Sequence, residues 1–309
     1  MQNAISPLHN MINRDISEKR IDGKRLAQEH EGILQDEIST FQESFFHMHI
    51  VEVGENPVIA QFVRMKKRMA QRIGVEFHHM RYREDISQDD LIQEIKKLND
   101  ICVQSDAHQH GIVIQLPLPD HINTKECLDA VDINYDVDVL GQDAYMLFKK
   151  GKLNAIPPVA RSVEYMLETL PDTVIGSISD MRMAIIGRGR LVGLPIYDLF
   201  MQKNSAQIDV IDKETSEEEK MRILKGADIV ITGAGVPHLV TADMIKQGAI
   251  LIDAGTSESQ GVLLGDIHPD CYSKASYFTP VPGGVGPLTV VMLYENLVGL
   301  AQVHGADEV

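Results

Sequence analysis

The amino-acid sequence predicts an α/β protein built as two α/β domains around a cleft. Short apolar runs typical of buried parallel strands alternate with longer segments of helical periodicity. One of these runs leads directly into a glycine-rich turn at Gly187, as in Rossmann-like nucleotide-binding domains. A length of 309 residues favours two domains over one.

The first predicted domain spans residues 1–157 and is completed by the last helix, within 287–309. Its helical periodicity covers residues 25–41, 58–73, 89–100 and, for the returning helix, 288–303. Strand patterns cover residues 47–53, 75–82 and 111–115. Gly74 predicts the end of the second helix. The residues before Asp22 are predicted to form an extension.

The second predicted domain spans residues 158–286 and is Rossmann-like. A helix is predicted over 161–170, and apolar strands are predicted over 183–187, 207–211, 229–232 and 250–254. Each strand lies between helical or polar stretches, which predicts a parallel sheet covered by helices on both faces.

Composition excludes several classes of protein. A formal net charge of −16 argues against a general nucleic-acid or anionic-membrane binder, since both need basic surface. The three cysteines lack metal-ligand spacing and favour a reducing compartment. The histidines at 47, 49, 78, 79, 108 and 110 also lack ligand spacing, so no metal site is predicted. No segment suits a signal peptide or bilayer span, so a cytoplasmic protein is expected.

The turn after the 183–187 strand has the properties of a dinucleotide loop. Gly187 permits a tight turn, Gly189 lets a phosphate approach the backbone, and Gly193 lets the next helix pack on the strand. The G-x-G-x-x-x-G spacing is one residue longer than the usual fingerprint, so an ordinary tight turn is the alternative. The predicted cofactor contacts in this loop are Gly187, Arg188, Gly189, Arg190, Val192 and Gly193.

The identity of the nicotinamide cofactor depends on Asp212, at the end of the next strand. Its carboxylate can accept hydrogen bonds from ribose hydroxyls and would repel a 2′-phosphate, which favours NAD. Arg188, Arg190 and Lys213 could instead pair with that phosphate, as NADP requires. A solvated turn residue is the structural alternative for Asp212. Small residues also follow two later strands: Gly233, Gly235, Gly255 and Thr256. They are predicted to contact the cofactor, and plain turns are the alternative.

The segment from Tyr277 to Thr289 reads Y-F-T-P-V-P-G-G-V-G-P-L-T, and its prolines and glycines suit a backbone surface open to a flat ligand. Its order resembles the signature of the methylenetetrahydrofolate dehydrogenase/cyclohydrolase family. Four further motifs are similar to that family's, in the same order along the chain. They are Val53–Pro57 continuing to Phe62–Lys66, Gly111–Pro119, Asp136–Asp138, and Gly187–Pro195.

The resemblance implies NAD(P)-dependent interconversion of 5,10-methylene- and 5,10-methenyltetrahydrofolate, hydrolysis to 10-formyltetrahydrofolate, and a homodimer. It implies that Lys66 is the catalytic lysine, with Gln115 and Asp138 holding the lysine and the pterin. Phe62 is then expected to stack on the pterin. Pro282, Gly283 and Gly284 are expected to line the folate pocket. Without the resemblance, Lys66 is one of several cations on a surface helix.

Several positions depart from the family pattern. Phe62 replaces a tyrosine, Ile59 stands near an expected serine, and Val139 replaces a glycine. Ile156–Val159 replaces a P-C-T-P segment, Gly189 replaces the serine of the phosphate loop, and Ala60 is the other residue near the expected serine. Hydride transfer mainly needs alignment, whereas water addition needs tuned proton transfer, so Phe62 is expected to affect hydrolysis more. Two alternatives stay open: a folate- and nucleotide-binding paralogue without turnover, and an NAD(P) oxidoreductase acting on another one-carbon substrate.

Overall fold

A computed structural model describes residues 16–41, 45–105, 108–176, 178–203, 207–259 and 262–306, and these form two α/β units. The first unit contains Ala27–Arg161 and the residues from Thr289 onward; the second contains Ser162–Leu288 and the described residues up to Leu26. Residues 1–15, most of the predicted extension, lie outside the described residues. None of the described helices has the length and apolar character needed to cross a membrane.

The first unit is built on a short parallel sheet of β1 (Phe45–Val53), β2 (Glu76–Tyr82) and β3 (His108–Ile114), with strand order β2-β1-β3. A helix, α3 (Gln88–Val103), packs on it. The core of the unit lies between this sheet and α3, whose residues Leu91, Ile95 and Leu98 pack in one cluster with Val51 and Ile112. The elements in chain order are α1 (Gly23–Ser39), β1 (Phe45–Val53), α2 (Pro57–Ile73), β2 (Glu76–Tyr82), α3 (Gln88–Val103), β3 (His108–Ile114), α4 (Thr124–Asp129) and α5 (Gln142–Lys149).

The second unit is built on a parallel sheet of five strands, numbered β4 to β7 and β10 in chain order, which lie in the order β10-β7-β6-β4-β5. Strands β8 and β9, which come between β7 and β10 in the chain, form a separate antiparallel hairpin. At the centre of the five-stranded sheet, strands β4, β6 and β7 are buried except for Arg182 at the start of β4, and most of their residues are apolar. The unit's elements in chain order are α7 (Asp172–Ile175), β4 (Arg182–Ile186), α8 (Gly193–Gln202), β5 (Gln207–Ile211), α9 (Glu217–Gly226), β6 (Ile229–Thr232), β7 (Ile250–Asp253), β8 (Ser257–Ser259), β9 (Val262–Leu264) and β10 (Tyr277–Phe278). Two helices cross the limits of the units: α6 (Pro158–Glu168) has its first residues in the first unit, and α10 (Val285–Ala306) lies in the first unit from Thr289 onward.

The units differ from the predicted domain limits at the N-terminal side. Ile21 N–H donates to the Phe278 carbonyl at 2.8 Å, and Arg20 forms a parallel bridge with Phe278. These backbone contacts place the segment before Leu26 in the second unit, whereas the predicted first domain begins at residue 1. The contacts are long-range in sequence, so hydrophobic periodicity could not predict them.

Candidate functional site

Lys66 lies on the buried face of α2. The buried positions Ile59, Val63, Ala70 and Ile73 recur at helical spacing, and Lys66 falls among them with 8% of its surface exposed. Its Nζ therefore has to find a polar partner inside the unit, since an unpaired buried ammonium is costly.

Gln115 provides that partner. Lys66 Nζ donates to Gln115 Oε1 at 2.7 Å. Gln115 directly follows β3, its N–H donates to the Val51 carbonyl at 2.8 Å, and its Nε2 donates to the Leu116 carbonyl at 3.0 Å. These bonds hold the amide with its oxygen towards the ammonium. The structure therefore brings together two of the three predicted catalytic residues.

Asp138 is the opposing charge at this site. Burial lowers the pKa of Lys66, and the charge of Asp138 partly counteracts this. Burial raises the pKa of Asp138, and the charge of Lys66 counteracts that in turn. A lysine with a lowered pKa has more of its neutral, proton-accepting form near neutral pH. The group can therefore hold or accept a proton during a reaction.

The glycine loop after β4 has the open backbone that a dinucleotide requires. Gly187 has φ +100°, and its N–H donates to the Ile211 carbonyl at 2.9 Å. A Cβ at Gly193, where α8 begins, would lie 1.8 Å from the Gly187 carbonyl oxygen. A Cβ at Gly189 would meet no atom within 4 Å. Gly187 and Gly193 therefore serve close packing, whereas the Gly189 backbone is open to a phosphate. The loop fits a dinucleotide.

A second loop of the same unit is held by one buried carboxylate. Asp266 accepts hydrogen bonds from the N–H groups of Ala234, Gly235 and Val236 at 2.7, 3.2 and 2.8 Å. A Cβ at Gly255 would lie 2.1 Å from Asp266 Oδ2, so a glycine is needed there. Burial raises the pKa of Asp266, and the three N–H groups counteract it. Asp266 is therefore a cap that shapes the loop.

The remaining predicted cofactor residues lie on the surface around these loops. Asp212 follows β5, is half-buried, and its Oδ1 accepts from the Glu214 N–H at 2.9 Å in a local turn. Arg188 and Thr256 are exposed, and Arg190 is half-buried. Val192 packs against Gly233, where a Cβ would lie 2.2 Å from Val192 Cγ1.

The proline-glycine segment contacts the start of α1. Gly283 has φ +103°, and a Cβ at Gly23 would lie 1.8 Å from the Gly284 carbonyl oxygen. Gly284 is buried, whereas Pro282 is exposed. The glycine at 284 thus has a packing role in addition to any contact with a ligand.

Comparison with known protein families gives the same family for both parts of the chain. Two sequence profiles match: the catalytic domain of tetrahydrofolate dehydrogenase/cyclohydrolase at residues 21–138 and its NAD(P)-binding domain at residues 157–305. The chain belongs to the tetrahydrofolate dehydrogenase/cyclohydrolase family.

Relatives of this family match the chain over nearly its whole length. Bifunctional protein FolD from Enterococcus faecalis is 35% identical over 91% of this chain and 98% of its own. A methylenetetrahydrofolate dehydrogenase from the silkworm, Bombyx mori, has a TM-score of 0.84 at 30% identity, over 93% of this chain and 99% of its own. The Trypanosoma brucei dehydrogenase-cyclohydrolase, solved with NADP and an inhibitor, has a TM-score of 0.83 at 29% identity, over 94% and 98%.

These matches confirm the predicted family and the two α/β domains with parallel sheets. They also confirm the predicted class of enzyme, an NAD(P)-dependent methylenetetrahydrofolate dehydrogenase, and they support the cyclohydrolase activity that the sequence departures left open. The catalytic-domain profile ends at Asp138, so the Lys66–Gln115–Asp138 group lies inside it.

The family departures lie in different surroundings. Ile59 and Val139 are buried, and Val139 has φ +54°, a left-handed conformation that suits the family glycine better than a β-branched residue. Phe62 is half-buried, one turn before Lys66 on α2. Tyr294 does not replace the missing phenol at the ammonium, because its hydroxyl donates to the Lys66 carbonyl oxygen at 2.7 Å.

Proposed function

We propose that Lys66, held by Gln115 and Asp138, carries the proton-transfer chemistry of a methylenetetrahydrofolate dehydrogenase/cyclohydrolase. The observation that carries this proposal is the 2.7 Å contact between buried Lys66 Nζ and Gln115 Oε1. A buried ammonium oriented by an amide and facing a carboxylate has the donor and acceptor groups that water addition requires.

In the hydrolytic step, water adds to the bridging carbon of 5,10-methenyltetrahydrofolate. The water oxygen forms a bond to that carbon and loses a proton to the neutral amine of Lys66. The bond between the carbon and N5 then breaks with its electron pair staying on N5. The hydroxyl on the carbon loses its remaining proton as the formyl C=O forms, and N5 takes up one proton. The product is 10-formyltetrahydrofolate. Gln115 and Asp138 keep the lysine amine in position while its charge changes.

For the dehydrogenase step, a bound nicotinamide cofactor would supply the acceptor for the hydride of the methylene carbon. The residues of this chain bind and orient it: the Gly187–Gly193 loop takes the phosphates at its open backbone and at the start of α8. The loop that Asp266 caps and the neighbouring Thr256 add further contacts. We assign Asp212 to the adenosine ribose and therefore favour NAD over NADP.

The folate is assigned to the remaining predicted residues. Phe62 stacks on the pterin ring, Asp138 hydrogen-bonds it, and Pro282, Gly283 and Gly284 line its pocket. The ring of Phe62 retains the flat apolar surface of a tyrosine but lacks its hydroxyl. We further propose that the protein acts as a homodimer in the cytoplasm, which light scattering of the purified chain and fractionation of cells would test.

The test uses the purified full chain with 5,10-methylenetetrahydrofolate and NAD or NADP in turn. Absorbance reports reduced cofactor and methenyl product; hydrolysis is followed separately from added methenyltetrahydrofolate. Lys66→Met is expected to abolish hydrolysis, while Lys67→Met, one position along the same helix and exposed, is the matched control. Equal hydrolysis by both variants would refute the role of Lys66.

Two further outcomes would select the alternatives. Folate and nucleotide binding without turnover would identify a non-catalytic paralogue. Nucleotide binding without folate binding would identify an oxidoreductase for another substrate.

A further inference from the structure

Four histidines that have no place in the folate or nucleotide chemistry lie together on the sheet of the first unit. His47 and His49 are on β1, and the strand register pairs His47 with His110 on β3 and His49 with His78 on β2. Side chains two residues apart on a strand share a face, so all four point to the same side. No metal site was expected because the histidines lack ligand spacing along the chain. Spacing along the chain does not show which residues become neighbours when strands pair.

The imidazoles form two hydrogen-bonded pairs that stack on each other. His47 Nδ1 lies 2.9 Å from His78 Nε2, and His49 Nε2 lies 3.0 Å from His110 Nδ1. The His49 and His78 rings stack with centroids 4.6 Å apart and an interplanar angle of 14°. Four imidazoles in such contact concentrate nitrogen ligands in a small volume.

A carboxylate completes one of the pairs. Glu76 Oε2 lies 3.3 Å from His47 Nδ1 and 3.6 Å from His78 Nε2, the same two nitrogens that contact each other. The side chains of Glu76 and His78 are 63% and 42% exposed, so solvent reaches this group. Two imidazoles and one carboxylate meeting at a solvent-accessible point are a common ligand set for divalent transition metals.

We propose that His47, Glu76 and His78 form a binding site for a divalent transition-metal ion, with Zn²⁺ as the best-fitting ion. The three ligand atoms, His47 Nδ1, His78 Nε2 and Glu76 Oε2, form a triangle with sides of 2.9, 3.3 and 3.6 Å. The point equidistant from all three in their plane is about 1.9 Å from each atom. An ion with ligand bonds of about 2.05 Å then sits about 0.75 Å above their plane, close to the ~0.7 Å of a regular tetrahedron. The open fourth position faces solvent and takes water.

Metal binding replaces the hydrogen bond between the two rings. The centroids of His47 and His78 are 5.2 Å apart with an interplanar angle of 18°, so the two nitrogens point at each other. Both rings must turn so that each nitrogen lone pair points to the ion. The proton shared between them moves to the outer nitrogen of its ring or to solvent, and no other reactant is needed.

A neighbouring group is a weaker candidate. His49, His110 and Cys102 also place three ligand atoms within 4.8 Å of one another, but all three residues are buried. Burial raises the pKa of the Cys102 thiol to about 12, which favours the protonated form over the thiolate that binds metals. The group of His47, Glu76 and His78, which is partly exposed and includes a carboxylate, is therefore the proposed metal site.

The ion would stabilise the unit without entering the folate chemistry. Gln115 lies at the opposite end of β3 from His110, five residues or about 17 Å along an extended strand. The site connects β1 to β2 where the strands begin. The expected effect of the ion is thus on the stability of the first unit, and activity is not the readout.

The test uses Co²⁺ as a spectroscopic substitute for Zn²⁺ on the full chain. We expect one Co²⁺ per chain with the intense visible bands of tetrahedral coordination and no thiolate-to-cobalt band, together with a rise in Tm on adding Zn²⁺. Loss of an outer-shell partner alone costs about 10–100-fold in metal affinity, so losing a ligand should weaken binding about 100-fold or more.

Variants assign the ligands. His78→Gln and Glu76→Gln are expected to lose the tetrahedral spectrum, and both change exposed side chains, so folding should persist. His121→Gln, an exposed histidine elsewhere in the unit, is the matched control and should bind as the parent does. No binding, equal binding by all variants, or a thiolate band that Cys102→Ser abolishes would overturn the proposal.

Discussion

Replacing Gln115 with leucine would remove the hydrogen-bond acceptor at 2.7 Å from the buried ammonium of Lys66. Leucine has a similar volume, so packing around β3 should persist, but the charged amine loses its partner. A hydrogen bond to a charged group contributes about 1.5–3 kcal/mol. If this interaction is made in the transition state of hydrolysis, its loss lowers the hydrolytic rate about 10–150-fold.

The same substitution has a definite effect on pH dependence. The Gln115 oxygen stabilises the charged form of Lys66, so its removal lowers the pKa of the lysine further than burial already does. The limb of the pH–rate profile that reports Lys66 should therefore move to lower pH. A carboxylate at this position, Gln115→Glu, favours the charged form and should move the limb in the opposite direction.

The assay follows the disappearance of methenyltetrahydrofolate between pH 6 and 9, with the NAD(P)-dependent rate measured in parallel. Gln109→Leu, also on β3 but away from Lys66, is the control for adding an apolar residue to this strand. Opposite shifts for leucine and glutamate are expected. Equal profiles for all variants, or a shift to higher pH for leucine, would refute the role assigned to Gln115.

Three further predictions concern other parts of the chain. Phe62→Tyr is expected to increase hydrolysis severalfold while changing the dehydrogenase rate less than about twofold, as measured by the two absorbance assays. Gly193→Ala, whose Cβ would lie 1.8 Å from a carbonyl oxygen, should lower Tm and weaken nucleotide binding. Gly189→Ala places its Cβ in open space, so it should change the free energy of unfolding by less than about 0.5 kcal/mol and weaken only nucleotide binding. Calorimetry measures the unfolding of each variant and its binding of NAD and NADP separately. Burial raises the pKa of Asp136 to about 6, above its unfolded value. The stability that this group contributes is fully present below pH ~4, and about 3 kcal/mol of it is lost as pH rises through and beyond 6; Asp136→Asn should remove that part of the slope in urea unfolding.

Much of the fold was predictable because its strands are short apolar runs with clear ends. The predicted strands at 207–211 and 229–232 coincide with β5 and β6, and the last helix extends three residues beyond each predicted end. The helix α4 and the β8–β9 hairpin were not predicted. Both are short, and tertiary contacts rather than periodicity stabilise such elements.

The site was predictable only in part. Motif resemblance predicts that Lys66 and Gln115 act together, and the structure adds that their side chains are in contact. The cap formed by Asp266 could not be predicted, since its three N–H partners lie about thirty residues earlier in the chain. The register that aligns His47 with Glu76 is also a tertiary property, because alternation along a strand does not fix its neighbour.

We expect the departures from the family pattern to affect the two activities unequally. Ile59 and Val139 are buried, so their side chains contribute to the core. The left-handed backbone of Val139 costs about 1–2 kcal/mol, and burial of its side chain offsets this by about 1.5–3 kcal/mol. A pocket reshaped for another substrate would need these side chains at its surface. Phe62 alone among the three retains an exposed part beside Lys66. The substitutions therefore favour a conserved folate substrate with altered proton transfer, and Phe62→Tyr is the variant in which hydrolysis should recover.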